Sequence, residues 1–299
     1  MANTKIRDVL LKSTDYLKCK SIDNARYEVE VLMSHFLQIQ RLNIYLDLDK
    51  ELSVEKATIL RNAIIERGKR KPLQYILGFV DFLGSKIEVN DKVLIPRPET
   101  EFMVDLIIKE NRSEEKKIIL DLCTGSGAIA ISLKKKIPNS MIQATDICID
   151  ALEIAKKNAV NNNCEVIFKQ SNLFEIFRPT SDNLKSKYNN SSVVQNFHYF
   201  DIIVSNPPYV SDDDFNRLPP ELFFEPKKAL ISSANGLYYI EKIILDAKNY
   251  LKEKGLLYLE IGYNQANDVK KILNEHEISK FNIYKDLNNI DRIIKIMYD

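Results

Sequence analysis

The chain has 299 residues, 45% of them hydrophobic and 28% charged, an ordinary globular composition with length enough for two domains. Lys and Arg total 43 against 42 Asp and Glu, a formal net charge of +1, and so lack the basic excess of a protein built mainly to grip a phosphate backbone. No apolar run approaches membrane-spanning length, the first residues are too polar for a secretory signal, and Cys19, Cys123, Cys148 and Cys164 form no Cys-x-x-Cys pair; no metal site is expected, and free thiols fit a reducing cytoplasm.

Residues 1 to about 71 read as a small helical domain. Ala25, Val29, Leu32, Met33, Phe36 and Leu37 recur at helical spacing. A second helix is predicted over Ser53 to Arg67, with Ser53 as N-cap and Ala57, Leu60, Ile64 and Ile65 on one side. Arg67, Lys69, Arg70 and Lys71 form a basic cluster, read as a solvated helix C-terminus favoured by the dipole. From Pro72 to Val93, Gly78, Gly84 and the alternation around Lys86 to Val89 predict short strands or a hairpin, so 72–98 reads as a hairpin linker. Pro96 and Pro98 forbid helix within Leu94 to Pro98, but Pro98 can open one running to about Lys109.

From 99 to 299 the pattern becomes strand and helix in alternation. Strands are predicted at Ile118–Leu120, Met141–Thr145, Val166–Phe168, Asp201–Val204 and Leu256–Leu259. Helices are predicted at Ala128–Lys136, Asp150–Asn161, Gly236–Leu251 and Gln265–Glu275. This predicts an α/β, mostly parallel sheet with helices on both faces. Phe281–Tyr284 and Ile293–Met297, with no helix between them, predict a closing antiparallel hairpin. Residues 178–199 read as an exposed insertion.

Two segments carry chemistry. The strand ending at Asp121 runs into Leu122-Cys123-Thr124-Gly125-Ser126-Gly127, where small residues between strand and helix let a ligand approach the backbone. Asp146 ends the next strand, where a carboxylate can accept hydrogen bonds from the ribose hydroxyls of an adenosine. A dinucleotide site prefers a third glycine; Ala130 stands there, which leaves a nicotinamide cofactor open on this motif alone. The second segment, Asn206-Pro207-Pro208-Tyr209, follows the fourth strand at the same end of the sheet. An amide-type nitrogen is a poor nucleophile and must be oriented with its hydrogens aimed at acceptors. The Asn206 side-chain oxygen can take one and the Pro207 carbonyl the other, while Tyr209 offers an aromatic face for the flat amide. Such a loop gains rate chiefly by positioning, and suits glutamine or an exocyclic base amine alike. His35, His198 and His276 lie outside both motifs.

Asp121 to Ala130, Asp146 and Asn206 to Tyr209 resemble the class I amino-methyltransferases, with their Rossmann-like sheet. The segment Leu94-Ile95-Pro96-Arg97-Pro98-Glu99-Thr100-Glu101 resembles more narrowly the HemK/PrmC family, the protein-(glutamine-N5) methyltransferases of peptide chain release factors. Pro72 to Gly78, Arg217 and Phe224-Glu225-Pro226 extend the likeness over nearly the whole chain.

The resemblance implies S-adenosyl-L-methionine as cofactor and the glutamine of a Gly-Gly-Gln motif in class I release factors as substrate. It implies that Cys123, Thr124, Gly125, Ser126 and Gly127 line the methionine part of the cofactor, with Asp121 a further cofactor-binding residue. Asp146 would hold the ribose, and Asn172 and Leu173 would border the adenine. Asn206, Pro207, Pro208 and Tyr209 would hold the glutamine, Asn206 also touching the cofactor. Arg97 and Glu101 would shape the pocket near the methyl donor, and the N-terminal helices would grip the release factor. Cys123 stands where the family commonly has glycine, Asn172 where an aspartate is common and Leu173 where an aromatic is common. A monomer with no nucleic-acid substrate and no membrane partner is expected. The competing readings are a ribosomal-protein glutamine methyltransferase, disfavoured by Pro98-Glu99-Thr100-Glu101; a base methyltransferase, which would flip its target and need a recognition domain; and a non-catalytic module, disfavoured by the intact acceptor loop.

Overall fold

A computed structural model of the chain describes residues 4–111, 115–178 and 199–298. Most of the predicted insertion therefore lies outside the described residues. The chain forms two compact units, Met1–Phe79 with Pro219–Phe224 and Val80–Leu218 with Glu225–Asp299.

The first unit is helical. Helices Ile6–Cys19, Ala25–Leu37, Arg41–Leu46, Val54–Gly68 and Leu73–Leu77 enclose a core that includes Leu10, Leu17, Val29, Leu32, Met33, Ile44 and Leu60, all nearly inaccessible. Their recurrence at three- and four-residue intervals puts them on the inward face of each helix. The Ser53 hydroxyl accepts from the Lys56 backbone N–H, capping its helix as its type and position predict. Strand β1 (Thr4–Lys5) pairs antiparallel with β2 (Glu51–Leu52). The basic cluster differs from its sequence reading. Arg67 is buried and donates to both Glu28 and Glu221, and Arg70 also reaches Glu221. Acids distant in sequence neutralise these guanidinium groups, so half the cluster is structural.

The Pro72–Gly78 segment is the helix Leu73–Leu77 rather than strand. It opens after Pro72 and stops at Gly78, whose φ of +81° is the left-handed C-terminal conformation glycine favours. The predicted hairpin begins only at β3 (Phe79–Phe82) and returns as β4 (Ser85–Glu88).

The second unit is built on seven strands: β5 (Ile118–Leu122), β6 (Met141–Asp146), β7 (Ile167–Gln170), β8 (Phe200–Ser205), β9 (Leu251–Glu260), β10 (Phe281–Lys285) and β11 (Asp291–Met297). Their order is β10-β11-β9-β8-β5-β6-β7. The pairs from β9 through β7 are parallel, and β11 returns antiparallel between β9 and β10, the predicted closing hairpin. The interiors of the central strands, Ile119 and Leu120 in β5 and Ile202 to Val204 in β8, are apolar, as a sheet covered on both faces demands. The helix expected to reach Leu251 ends at Ala247, because Leu251 already begins β9 opposite Phe200. Irregular pairing between Phe200 and Ile202 and a left-handed Lys254 accommodate the polar stretch Lys252 to Lys254 inside that strand.

One buried side chain ties three elements of this unit together. Asn158, on helix Ile149–Asn161, is inaccessible to solvent. Its amide donates to Glu88 O at 3.0 Å and to Ser126 O at 2.9 Å, while its oxygen accepts from Glu88 N at 2.8 Å. Hairpin β3–β4, the helix and the turn after β5 are thus clamped by one residue. Asn158→Ala leaves the buried Ser126 carbonyl and the half-buried Glu88 carbonyl and N–H without this partner. It is expected to lower unfolding free energy by about 2–4 kcal/mol, read as a lower urea midpoint at unchanged slope. A midpoint equal to wild type contradicts the clamp.

Candidate active site

Parallel pairing sets the carboxyl ends of three strands side by side. Leu122 at the end of β5 pairs with Thr145 of β6 on one flank and with Ser205 of β8 on the other. The turns that leave these strands face a cleft of about 220 Å³, the place where open parallel sheets bind ligands. Of the residues picked out from sequence, Cys123, Gly125, Asp146, Asn172, Leu173, Asn206 and Pro208 line it.

The turn from β5 into helix Ala128–Lys136 holds three left-handed residues: Cys123 at φ +58°, Gly125 at +54° and Gly127 at +82°. A Cβ on Gly127 would lie 3.1 Å from the Ala155 Cβ, so glycine permits the close helix contact there. A Cβ on Gly125 would meet nothing within 4 Å, which leaves open space on the cleft side of the turn. Asp121 supports the turn from below and does not line the cleft. It is fully buried, and its Oδ2 accepts from the Thr124 hydroxyl at 2.6 Å. Its Oδ1 has no hydrogen-bond partner among the described residues. Burial pushes its carboxyl up to about 7, against the pull of the Thr124 hydroxyl. Burial likewise raises the Cys123 thiol.

Asp146 closes β6. Its Oδ2 accepts from Gly125 N and its Oδ1 from Cys148 N, each at 2.9 Å. Burial raises this carboxyl also, with the backbone N–H groups opposing. One lone pair on each oxygen is left for a ligand. Asn172 donates to Glu175 at 3.0 Å, and Leu173 is anchored in the main core while forming part of the cleft wall.

The acceptor loop leaves β8 at Ser205 and is fixed from behind. Asn206 Nδ2 donates to Thr100 Oγ1 at 3.0 Å, the Thr100 hydroxyl donates to Glu260 Oε2 at 2.6 Å, and the Tyr209 hydroxyl donates to Glu260 Oε1 at 3.0 Å. Glu260 is 1% exposed, and burial pushes it up to about 6. Burial and the facing Glu260 raise the Tyr209 phenol well above its ordinary range. The Gln265 amide donates to Tyr209 O at 2.9 Å, and its oxygen accepts from Gly262 N. At Gly236, a Cβ would lie 2.2 Å from Tyr209 O, so only glycine admits this approach.

Arg97 and Glu101 are not brought to the cleft wall. Arg97 is ion-paired with the buried Glu225, which also accepts from Ile95 N at 2.9 Å. Glu101 accepts from Leu83 N at 3.1 Å, at the turn of the β3–β4 hairpin. Pro207 is buried, and Thr124, Ser126, Gly127 and Tyr209 support the turns from outside the wall. Sequence reasoning missed Ile147 and Cys148, directly after Asp146, and Leu94, Pro226 and Tyr239, all cleft-lining. Position after a strand-terminal acid could have found the first two. Thr100, Glu260 and Gln265 were missed as well; an acid closing the strand next to β8 was the available signal for Glu260.

Sheet order, closing hairpin and a ligand cleft at the carboxyl ends of β5, β6 and β8 define a class I methyltransferase. The hMettl16 catalytic domain, solved in complex with MAT2A 3′UTR hairpin 6, shares this fold with a TM-score of 0.50 at 16% identity over 83% of each chain. Family models match in two places, the PrmC N-terminal domain at residues 8–78 and the methyltransferase small domain at 99–182. The chain is 37% identical over 290 residues to the release factor glutamine methyltransferase of Fusobacterium nucleatum subsp. nucleatum, spanning 96% of this chain and 77% of that protein. It is 34% identical over 290 residues to the enzyme of that name from Geobacter sulfurreducens (97% and 95%), and 39% over 231 residues to that of Streptococcus pneumoniae (77% and 76%). The chain belongs to the release factor glutamine methyltransferase family. Family and fold together imply use of S-adenosylmethionine.

The raised carboxyls have a thermodynamic consequence. Asp121, Asp146 and Glu260 bind protons in the fold that they release on unfolding, so the native state holds more protons above the ordinary carboxylate range. Stability is greatest below that range and falls as pH rises through about 6 for Glu260 and about 7 for Asp121. The Asp121 share is about 4 kcal/mol, an order-of-magnitude figure from a shift of roughly three pH units. Urea unfolding of the wild type between about pH 5 and about pH 8 should show this decline, and Asp121→Asn should remove much of it. An equal slope in the variant contradicts the assignment.

Proposed function

We propose that this protein transfers the methyl group of S-adenosyl-L-methionine to the side-chain amide nitrogen of the Gly-Gly-Gln glutamine in class I peptide chain release factors. The observation that carries this reading is the acceptor loop Asn206-Pro207-Pro208-Tyr209 held at the mouth of the cleft with the Asn206 amide nitrogen already bound to Thr100. Family membership supplies the choice of glutamine over a base.

The residues present fit the cofactor. The open side of Gly125 leaves room for its methionine part, and the free lone pairs of Asp146 suit the two ribose hydroxyls. Asn172 binds Glu175 through its nitrogen, so its oxygen is left to accept from the adenine amino group, with Leu173 as an apolar wall. When bound, the sulfonium supplies an electrophilic methyl group that needs no activation by the protein.

The chain's own task is then to present the acceptor nitrogen. Asn206 Oδ1 makes no hydrogen bond among the described residues and can accept one amide hydrogen of glutamine, while the Pro207 carbonyl takes the other. Both acceptors favour an amide whose nitrogen gains positive character during transfer, which is electrostatic stabilisation by groups fixed in advance. The proton can leave afterwards, so no general base is required at the nitrogen. Tyr209, locked by its hydroxyl on Glu260 and its carbonyl on Gln265, sets the loop's shape. Arg97 and Glu101 act at one remove. They hold the segment before helix Pro98–Glu110 and the hairpin turn, rather than touching the donor. Residues 1–71 would grip the release factor, 72–98 would link, and 99–299 would carry the chemistry, in a cytoplasmic monomer without nucleic-acid substrate.

Purified protein with labelled S-adenosylmethionine should label a release factor, and the label should vanish when the Gly-Gly-Gln glutamine is replaced. Bulk tRNA, rRNA and DNA should stay unlabelled; label there would overturn the choice of substrate. Asn206→Ala should slow transfer by about a hundredfold or more while cofactor affinity largely survives. Persistent activity in that variant would contradict the acceptor-loop mechanism.

A further inference from the structure

We propose that Thr100 is a positioning residue, and that the hydrogen-bonded chain from Glu260 through Thr100 to Asn206 dictates which face of the Asn206 amide is offered to the methyl acceptor. The inference rests on the reading given under Proposed function and deepens it. An asparagine amide is nearly symmetric in shape, but its two ends are opposite in hydrogen-bonding character. Only the end carrying oxygen can accept a hydrogen from a substrate amide. Turned the other way, Asn206 would aim N–H groups at N–H groups.

The direction is settled by what stands behind it. Glu260 receives hydroxyl donors on both oxygens, Thr100 at 2.6 Å and Tyr209 at 3.0 Å. A carboxylate accepting from both sides commits the single Thr100 proton to Glu260. The Thr100 oxygen can then serve Asn206 only as an acceptor. That obliges Asn206 to turn its nitrogen inward, at 3.0 Å, and its oxygen to the cleft. Thr100 is 4% exposed and Glu260 1%, so no water competes for these bonds. Placement follows from chain geometry. Thr100 sits in the first turn of helix Pro98–Glu110, and Glu260 ends β9, one residue beyond the partner of Ser205.

The order of the chain reverses when Glu260 takes a proton from solvent. Neutral Glu260 can donate from Oε2 to the Thr100 oxygen. The Thr100 hydroxyl is then free to donate to Asn206 Oδ1, and the amide can turn its nitrogen to the cleft. The groups that set when this happens are Arg292 from β11, Glu99 beside Thr100 and Tyr209 from the acceptor loop, with Arg292 itself held by Asp286 at 3.3 Å. Burial places the change near pH 6.

The test is turnover at saturating S-adenosylmethionine and release factor, from about pH 5 to about pH 8, for wild type, Thr100→Val and Thr100→Ser. Valine keeps the volume and deletes the relay. Turnover should fall by about 10- to 100-fold, the cost of an unfixed acceptor, while cofactor affinity measured by calorimetry is unchanged. Wild type should lose turnover below about pH 6, and Thr100→Val should lack that acid limb because the charge on Glu260 no longer reaches Asn206. Serine, which keeps the hydroxyl, should restore both the rate, to within about threefold, and the limb. Wild-type turnover in Thr100→Val, or an acid limb that survives in it, overturns the proposal. A wild type that leaves the glutamine unmethylated overturns the function instead, so the two failures are told apart.

Discussion

Everything at the site depends on the in-register parallel pairing of β5 with β6 and β8. It aligns Leu122, Thr145 and Ser205, so the turns after three separate strands open onto one cleft. A slip of one residue would turn every side chain to the other face of the sheet. It would carry Asp146 away from Gly125 and Asn206 away from Thr100. Ile202 to Val204 of β8 and Ile119 and Leu120 of β5 pack in the core, and the register is pinned at either end by Asp201, which accepts from Ile118 N at 2.7 Å, and Ser205, which donates to Leu122 O at 2.8 Å. Core packing and the geometry of the candidate site are thus the same constraint.

Onto that frame the chain adds side chains whose hydrogen bonds are already committed. Asp146 takes two backbone N–H groups, Glu260 takes Thr100 and Tyr209, and Gln265 holds the Tyr209 carbonyl. Each such group is costly to bury unless satisfied, and once satisfied it is rigid. A poor nucleophile such as a side-chain amide is best served by rigidity of this kind, because positioning supplies most of the rate. The same burial raises the carboxyls at the site, so stability is given up at the pH where the site's geometry is needed. That pattern is expected of functional sites.

Much of this was legible in the sequence. Helix Ala128–Lys136 falls where its pattern put it, Asp146 ends its strand, and Asn206 to Tyr209 leave β8 directly. Local signals carried these features: a small-residue turn, an acid at a strand end, a proline pair after an apolar run. What was not legible depends on partners distant in sequence. Glu260 meets Thr100 across 160 positions, and Arg67 meets Glu221 across 154. No local pattern marks either. Glycines and alternation over Pro72 to Val93 suggest short strands or a hairpin, which hides the one-turn helix Leu73–Leu77 that ends at the left-handed Gly78. The start of β9 at Leu251 was hidden by charged residues that an irregular, bulged pairing tolerates, with Lys252 bound to Asp201.

In the proposed reaction, cleft and loop act together on one glutamine nitrogen of a protein. Tandem mass spectrometry of a class I release factor, incubated with the protein and S-adenosylmethionine, tests it most directly. The expected result is the mass of a single added methyl group on the Gly-Gly-Gln glutamine, borne by its side-chain amide. A methyl group found on any other residue, or a release factor left unmodified by active, cofactor-binding protein, would contradict it.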